Sequence, residues 1–306
     1  MNSKKVLIFG SNGLVGSSCF RIFSNDSNYE IYASTREDTN LFVLEETKKT
    51  IEEFSPDIII NAAAKGGGIV ANNTLRTEFI LENLKINVNI FEACVDKPEI
   101  NIINLGSSCI YPLNASNPIK ESSFMEGKLE ETNSPYAMAK LAAIEIGRSL
   151  NMQFGHNVIN LMPTNLYGPN DNFDGTSSHV IPGLIRRMDD AKNKNESNFK
   201  VWGDGSPLRE FLYVDDLASA IKFVIENDIS HDLINVGFGE EISIKDLACK
   251  IKNVVCFKGN IDFDTTKPNV NPRKLLDTSI IKSYGWKPKF NLDEGLKLSY
   301  KWYKNN

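Results

Sequence analysis

Tyr136 and Lys140 stand four residues apart in Ser134-Pro-Tyr-Ala-Met-Ala-Lys140. On a helix, positions i and i+4 share a face, so the ammonium lies beside the phenol. A free phenol ionises near ~10, and a fixed positive neighbour stabilises the phenolate and lowers that value. The expectation is a proton donor or acceptor that works near neutral pH. The spacing alone is common in helices, but two other features give it weight. A glycine-rich turn opens the chain, and Ser107 and Ser108 follow the apolar run Asn101–Leu105, where a third active-site group is wanted.

That turn is Gly10-Ser11-Asn12-Gly13-Leu14-Val15-Gly16. It falls between a strand-like and a helix-like run, where a dinucleotide pyrophosphate binds. Glycines let the backbone approach, and the helix N-terminus presents free N–H groups. The spacing differs from Gly-x-Gly-x-x-Gly, and the plain alternative is a glycine-rich surface turn. The end of the second strand selects between cofactors: an acid there holds a ribose 2′-hydroxyl, and an Arg accepts a 2′-phosphate. Here the stretch is Ala33-Ser-Thr-Arg36-Glu-Asp38. Arg36 favours NADP; otherwise it is an exposed Arg paired with Glu37 or Asp38.

Cys109 follows the two serines. A lone Cys is usually a small buried hydrophobe; at a strand end facing a cleft it is an acid/base group with a reference value near ~8.5. His179 is one of three histidines; His156 and His231 read as structural or surface residues. Arg186, Arg187, Trp202, Arg209, Lys267, Arg273 and Lys274 lie in irregular parts of the second half. They are either solvated cations or a clamp for phosphates with a ring to stack on a base.

The elements that must position these groups alternate. Val6–Phe9, Glu30–Ser34, Asp57–Asn61, Asn101–Leu105 and Val158–Met162 read as apolar strands. Helices are expected from the glycine turn to Phe23, over Leu41–Phe54, over Leu75–Val95 and over Pro135–Phe154. This pattern argues for an α/β fold, a Rossmann-like doubly wound parallel sheet covered on both faces. After Gly168 the rhythm breaks. Arg209–Val214 and Leu233–Val236 are expected to return to the sheet, and Ser243-Ile-Lys-Asp246 reads as a helix N-cap. The expected organisation is a nucleotide-binding domain over 1–168 and 209–238, with a smaller C-terminal substrate-binding lobe over 169–208 and 239–306.

The 306 residues carry a net charge of −5 and 41% hydrophobic residues, which permits a full core and gives no basic excess for nucleic acid. The five cysteines match no metal or disulfide spacing and fit a reducing cytoplasm. The N-terminus runs at once into a strand, so no signal peptide is expected. Apolar runs such as Ile58–Ala64 fall far short of a membrane span.

Gly106-Ser-Ser-Cys-Ile-Tyr-Pro112, Pro135-Tyr-Ala-Met-Ala-Lys140, Met162-Pro-Thr-Asn-Leu-Tyr-Gly-Pro169 and Ser178-His-Val-Ile-Pro182 together resemble the GDP-L-fucose synthase family. Arg209-Glu-Phe-Leu-Tyr-Val-Asp-Asp216 and Pro272-Arg-Lys-Leu-Leu-Asp277 add to the resemblance, which runs nearly end to end. Those enzymes are extended short-chain dehydrogenase/reductases. They epimerise C3 and C5 of GDP-4-keto-6-deoxy-D-mannose and then reduce C4 with NADPH.

The resemblance implies that Ser107, Tyr136 and Lys140 serve reduction, while Cys109 and His179 serve epimerisation. It implies a cofactor shell of Gly10 to Gly16, Arg36, Asn40, Leu41, Ala63, Leu105, Gly106, Ser107, Tyr136, Lys140, Pro163, Asn165, Leu166 and His179. Ser108, Cys109, Asn165, Arg187, Trp202, Arg209 and Asn269 are implied to touch the GDP-sugar. It also implies a cytoplasmic homodimer joined through a four-helix bundle. Three departures stand out: Asn12 replaces an Arg, Gly67 replaces a Val and is expected to enlarge the substrate space, and Asn269 replaces a carboxylate. The alternatives are a dedicated C4 reductase of another GDP-4-keto sugar such as a 6-deoxy-heptose, a redox-neutral NAD-dependent epimerase or dehydratase, and a non-catalytic NADPH sensor.

Overall fold

The computed structural model describes residues 3–174, 177–266 and 271–306, so Lys267 and Asn269 lie outside the described residues. β1 (Lys4–Phe9), α1 (Leu14–Phe23), β2 (Tyr29–Ser34), α2 (Leu44–Phe54) and β3 (Ile58–Asn61) come first. Then follow α3 (Ile69–Thr74), α4 (Arg76–Glu92), β4 (Asn101–Leu105), α5 (Ser134–Phe154) and β5 (Asn157–Pro163). The middle of the chain supplies β6 (Asn165–Tyr167), α6 (Val180–Asn193), β7 (Asn198–Trp202), β8 (Leu208–Tyr213), α7 (Val214–Glu226) and β9 (Leu233–Val236). It ends with β10 (Glu241–Ser243), α8 (Ile244–Val255), β11 (Asn260–Asp264), β12 (Arg273–Lys274), α9 (Ser279–Ser283) and α10 (Leu292–Asn305).

Successive side chains of a strand point to opposite faces, and β1 shows both destinations. Val6 and Ile8 join a core with Phe23 of α1 and Leu217 and Ile221 of α7. Leu7 and Phe9 join another with Ile51 of α2, Ile90 of α4 and Leu150 of α5. Two buried faces explain why these strands read as continuous apolar runs. The sheet is parallel throughout, in the order β2-β1-β3-β4-β5-β9. From β1 the chain moves outward to β2 and returns to β3 on the other side. The loops after β1 and β3 therefore part and leave a crevice at the strands' C-terminal ends.

One expectation is corrected. The sequence reading returns Arg209–Val214 to this sheet, but only β9 does so. β8 is the centre of a second sheet, between antiparallel β10 and parallel β12, with β6 also paired to it. Phe211 and Tyr213 pack into a third core with Ile185 of α6, Leu247 of α8 and Leu296 of α10, while Leu212 faces the first core. A strand buried on both sides carries no local sign of which sheet it joins. The helix expected over Leu75–Val95 is α4, and the short α3, not expected from the sequence, precedes it across Leu75, which leaves helical geometry at φ −106°, ψ 43°. Ser243 does cap α8, accepting the Asp246 N–H at 3.0 Å.

Candidate active site

The glycine turn sits where the crevice opens. Gly10 has φ +78°, and a Cβ there would meet the Ala63 backbone at 2.7 Å. A Cβ on Gly16 would run into the Gly10 carbonyl. Backbone from β1, β3 and α1 thus packs tighter than side chains allow. The N–H groups of Gly10 and Ser11 are both taken by the Ser34 carbonyl, at 3.1 Å each. No side chain caps α1, so its first-turn N–H groups face the crevice unpaired with any side chain, as an anion site requires.

Beyond β2, the Asp38 carboxylate accepts the Thr35 N–H at 2.8 Å and its hydroxyl at 2.7 Å. These bonds hold it below the usual carboxylate range. Arg36 pairs with neither Glu37 nor Asp38 among the described residues; its guanidinium lies 5.1 Å from the Phe42 ring centroid. Asn40 turns inward to accept the Phe42 N–H, and the Leu41 carbonyl accepts from Asn89.

At the end of β4 the catalytic candidates converge. Lys140 is 2% exposed, and its ammonium donates to the Leu105 carbonyl at 2.7 Å. Burial brings its pKa down to about 8. It lies 5.7 Å from the Tyr136 ring centroid. The phenol nevertheless moves upward, through burial and then the nearby Cys109, so the downward shift expected from the spacing does not occur. The reason is that Lys140 is spent on a carbonyl and is itself stripped of water, which disfavours its charged form.

Ser107 caps a short 3₁₀ turn, Ser108–Ile110, by accepting the Cys109 N–H at 3.3 Å; Ser108 itself is buried. Gly106 is pressed against the Met162 side chain, which leaves no room for a Cβ. Burial raises the Cys109 thiol, while Lys274, Ser107 and Lys140 pull it back down. Lys274 pairs with Arg209 in the β12–β8 register. Before α5, the Glu130 carboxylate accepts from Thr132 and from Asn133, each through backbone and side chain, which fixes the approach to Tyr136.

His179 lies at the N-cap of α6. Its side chain is half exposed; protein atoms crowding the ring lower its pKa, and a hydrogen bond with the Gly67 backbone opposes that. Its Nδ1 is 4.0 Å from Asp171 Oδ1. Gly68 donates to the Ser177 carbonyl at 2.7 Å, so the loop after β3 abuts the His179 loop. Gly67 does not enlarge the site as expected. A Cβ there would lie 3.1 Å from both Ala71 Cβ and the Phe79 ring. Phe79 has filled the space, and it packs edge-on to Tyr136 with centroids 6.3 Å apart.

The scattered cations divide into two groups. Arg186 pairs with Asp174 and Arg273 with Glu241. Arg187 instead lies over the Phe199 and Trp202 rings, at 4.9 and 5.8 Å, and donates to the Lys200 carbonyl. Trp202 is 57% exposed. Arg209 is partly buried and donates to the Leu208 carbonyl. Pro163 ends β5, Leu166 packs into the first core, and Asn165 gives its amide to the Glu210 carbonyl at 2.8 Å. His156 is buried with Nε2 against the Val95 carbonyl, and His231 is exposed beside Tyr284, as structural and surface residues. Sequence reasoning missed Asp171, Phe79 and Glu130, and left Lys274 undecided. For Asp171 the only signal was its place in a Pro, Asn, Asp and Gly cluster read as loop.

The model of the NAD dependent epimerase/dehydratase family matches residues 6–237. The probable GDP-L-fucose synthase 1 of Oryza sativa subsp. japonica is 44% identical over 303 residues, covering 99% of this chain and 92% of that protein. A GDP-6-OMe-4-keto-L-xylo-heptose reductase from C. jejuni superposes with a TM-score of 0.93 at 30% identity, covering 100% and 99% of the two chains. A GDP-L-fucose synthetase from Naegleria fowleri bound to NADP superposes with a TM-score of 0.91 at 28% identity, covering 100% and 95%.

Proposed function

We propose, for a chain that belongs to the GDP-L-fucose synthases of the NAD dependent epimerase/dehydratase family, an NADPH-dependent 3,5-epimerisation and C4 reduction of a GDP-4-keto-6-deoxy-sugar. One observation carries the reading beyond family membership. Cys109, half-buried beyond the end of β4, lies close enough to half-buried Tyr136 and to buried Lys140 to influence both. A thiol there can serve as the base of an epimerisation.

The residues fit the cofactor. The Gly10–Gly16 turn admits a pyrophosphate at the α1 N-terminus. Arg36, without an ion-pair partner among the described residues, takes a 2′-phosphate, and Lys140 takes the nicotinamide ribose. When bound, NADPH supplies the hydride for C4. Arg187, Trp202 and Arg209 hold the GDP moiety by charge and stacking.

The C4 ketone acidifies the hydrogens on C3 and C5, because the enolate is delocalised. Cys109 as thiolate removes one of them, and His179 returns a proton to the opposite face of the same carbon. One proton leaves and one arrives at each inversion. Tyr136 then gives its proton to the C4 oxygen. A phenol whose pKa is raised holds that proton at neutral pH until a more basic alkoxide forms.

The test is proton exchange. In deuterated water without NADPH, the enzyme and a GDP-4-keto-6-deoxy-hexose should place deuterium at C3 and C5, followed by NMR. Absence of exchange with the enzyme's own substrate would overturn epimerisation. It would favour the second reading, a dedicated C4 reductase, to which the superposition on the C. jejuni reductase lends support. We also propose a homodimer. α4 and α5 pack on each other and leave Leu81, Val88, Met138 and Met152 exposed. A second copy covers them as an isologous four-helix contact. Sedimentation at micromolar protein should give twice the chain mass; a monomer refutes it.

A further inference from the structure

We infer that Asp171 is the positioning residue of His179, a buried carboxyl that takes the Nδ1 side of the imidazole and leaves Nε2–H aimed at the sugar; this rests on His179 being the epimerisation acid. Three observations carry it. The Asp171 side chain is only 4% exposed, and its Oδ1 is 4.0 Å from His179 Nδ1. Oδ1 already accepts the Asn172 N–H at 2.8 Å. Oδ2 is buried without any hydrogen-bond partner among the described residues. A buried carboxylate oxygen without a partner costs free energy, so a residue placed this way needs a reason. The His179 imidazole is the titratable group beside this carboxyl, on its Oδ1 side.

The pair has one other close polar neighbour, the Gly67 backbone, which hydrogen-bonds the His179 imidazole. Among the described residues, no other charged side chain bears on either group. On the His179 loop and α6, Asp174 is paired with Arg186, and across the crevice Lys65 is paired with Glu82. Burial raises the Asp171 carboxyl to about 7 and lowers His179 from its ordinary range. When Nε2–H protonates the sugar carbon, the imidazole keeps its Nδ1 proton on the Asp171 side and becomes neutral. Cys109 has meanwhile become a thiol, and exchange of one proton with solvent at each group resets the pair. A tautomer fixed in this way is the usual contribution of a carboxylate behind a catalytic histidine.

The test is Asp171→Asn, with Asp171→Glu as the conservative variant. Deuterium entry at C3 and C5 in the Asn variant should fall about 100-fold, the lower end of what a general acid contributes. Reduction of a 4-keto sugar already in its final configuration should fall far less. Because the chain has three histidines, ¹⁵N-labelled His179 is resolvable. Its Nδ1–H tautomer should dominate in the wild type, and in Asp171→Asn its titration should move to lower pH with the tautomers mixed. Asp171→Glu should restore part of both. Unchanged exchange and an unmoved His179 titration would overturn the proposal, as would equal loss of exchange and reduction with an unmoved titration, which marks a merely structural residue. If the wild type shows no exchange at all, the epimerase reading fails, and the ¹⁵N titration still decides whether Asp171 holds His179.

Discussion

Arg36→Ala should separate the two nicotinamide cofactors. The guanidinium is exposed, lies over Phe42 at 5.1 Å, and has no carboxylate partner among the described residues. The neighbouring acid, Asp38, is committed to the Thr35 N–H and hydroxyl. It would have to give up both bonds to accept a ribose 2′-hydroxyl. Arg36 therefore needs no rearrangement to meet a 2′-phosphate, and Asp38 does not stand ready for NADH. A hydrogen bond to a charged group is worth about 1.5–3 kcal/mol, which corresponds to a loss of roughly 10- to 150-fold in NADPH affinity. The cation–π contact with Phe42 is worth about 0.5–1 kcal/mol at an exposed site, but its loss acts on the loop and falls on both cofactors alike. The assay is the dissociation constant for NADPH and for NADH, by quenching of protein fluorescence, and KM for each at saturating sugar. NADPH should weaken by at least tenfold while NADH changes less than threefold. Equal weakening of the two would mean that Arg36 acts through the shape of the loop, and the assignment of NADP preference to it would fall.

Tyr136→Phe should abolish NADPH oxidation by about 100-fold or more yet leave deuterium entry at C3 and C5, whereas Cys109→Ser should suppress the exchange and retain hydride transfer to a ketone that needs no inversion; NMR and absorbance at the reduced nicotinamide band read the two. Lys140→Met should flatten the pH dependence of stability in the cofactor-free protein. Lys140 falls to about 8 when folded against ~10.4 unfolded, so between those values the unfolded chain binds the extra proton and stability rises with pH. The gap is worth at most about 3 kcal/mol, and urea midpoints at pH 7.5 and 10 for both proteins measure it; identical slopes would refute it.

Much of the fold is legible because the main strands are buried on both faces. Val6–Phe9, Asn101–Leu105 and Leu233–Val236 stand out as apolar runs, and Gly10–Gly16 marks the crevice they create. The sheet to which β8 belongs is not legible, because pairing with β10 and β12 depends on residues more than thirty positions away. The same holds for chemistry. Tyr136 and Lys140 are found by spacing, but the direction in which the phenol titrates depends on burial that spacing does not reveal. Gly67 reads as a space opened for substrate. Phe79, twelve residues later on α4, closes it.

In the proposed mechanism, Lys274 and Asp171 bear on how the acid/base work divides. Burial pushes both Cys109 and His179 toward their neutral forms. A thiol and a neutral imidazole cannot begin an inversion, which needs an anion on one side and a proton on the other. Specific partners oppose burial on each side. Under Cys109 the partners are cations, Lys274 first and then Lys140, both of which favour the thiolate. Behind His179 the Gly67 backbone hydrogen bond opposes the loss of water, and the Asp171 carboxyl at 4.0 Å favours the imidazolium once it ionises. Exchanging the roles would set a thiol acid among cations that draw its proton away, and an imidazole base beside a carboxylate that holds a proton on it. In the proposed mechanism the field within the site therefore favours Cys109 as the base and His179 as the acid, through residues on an irregular loop and a two-residue strand, whose roles periodicity does not mark.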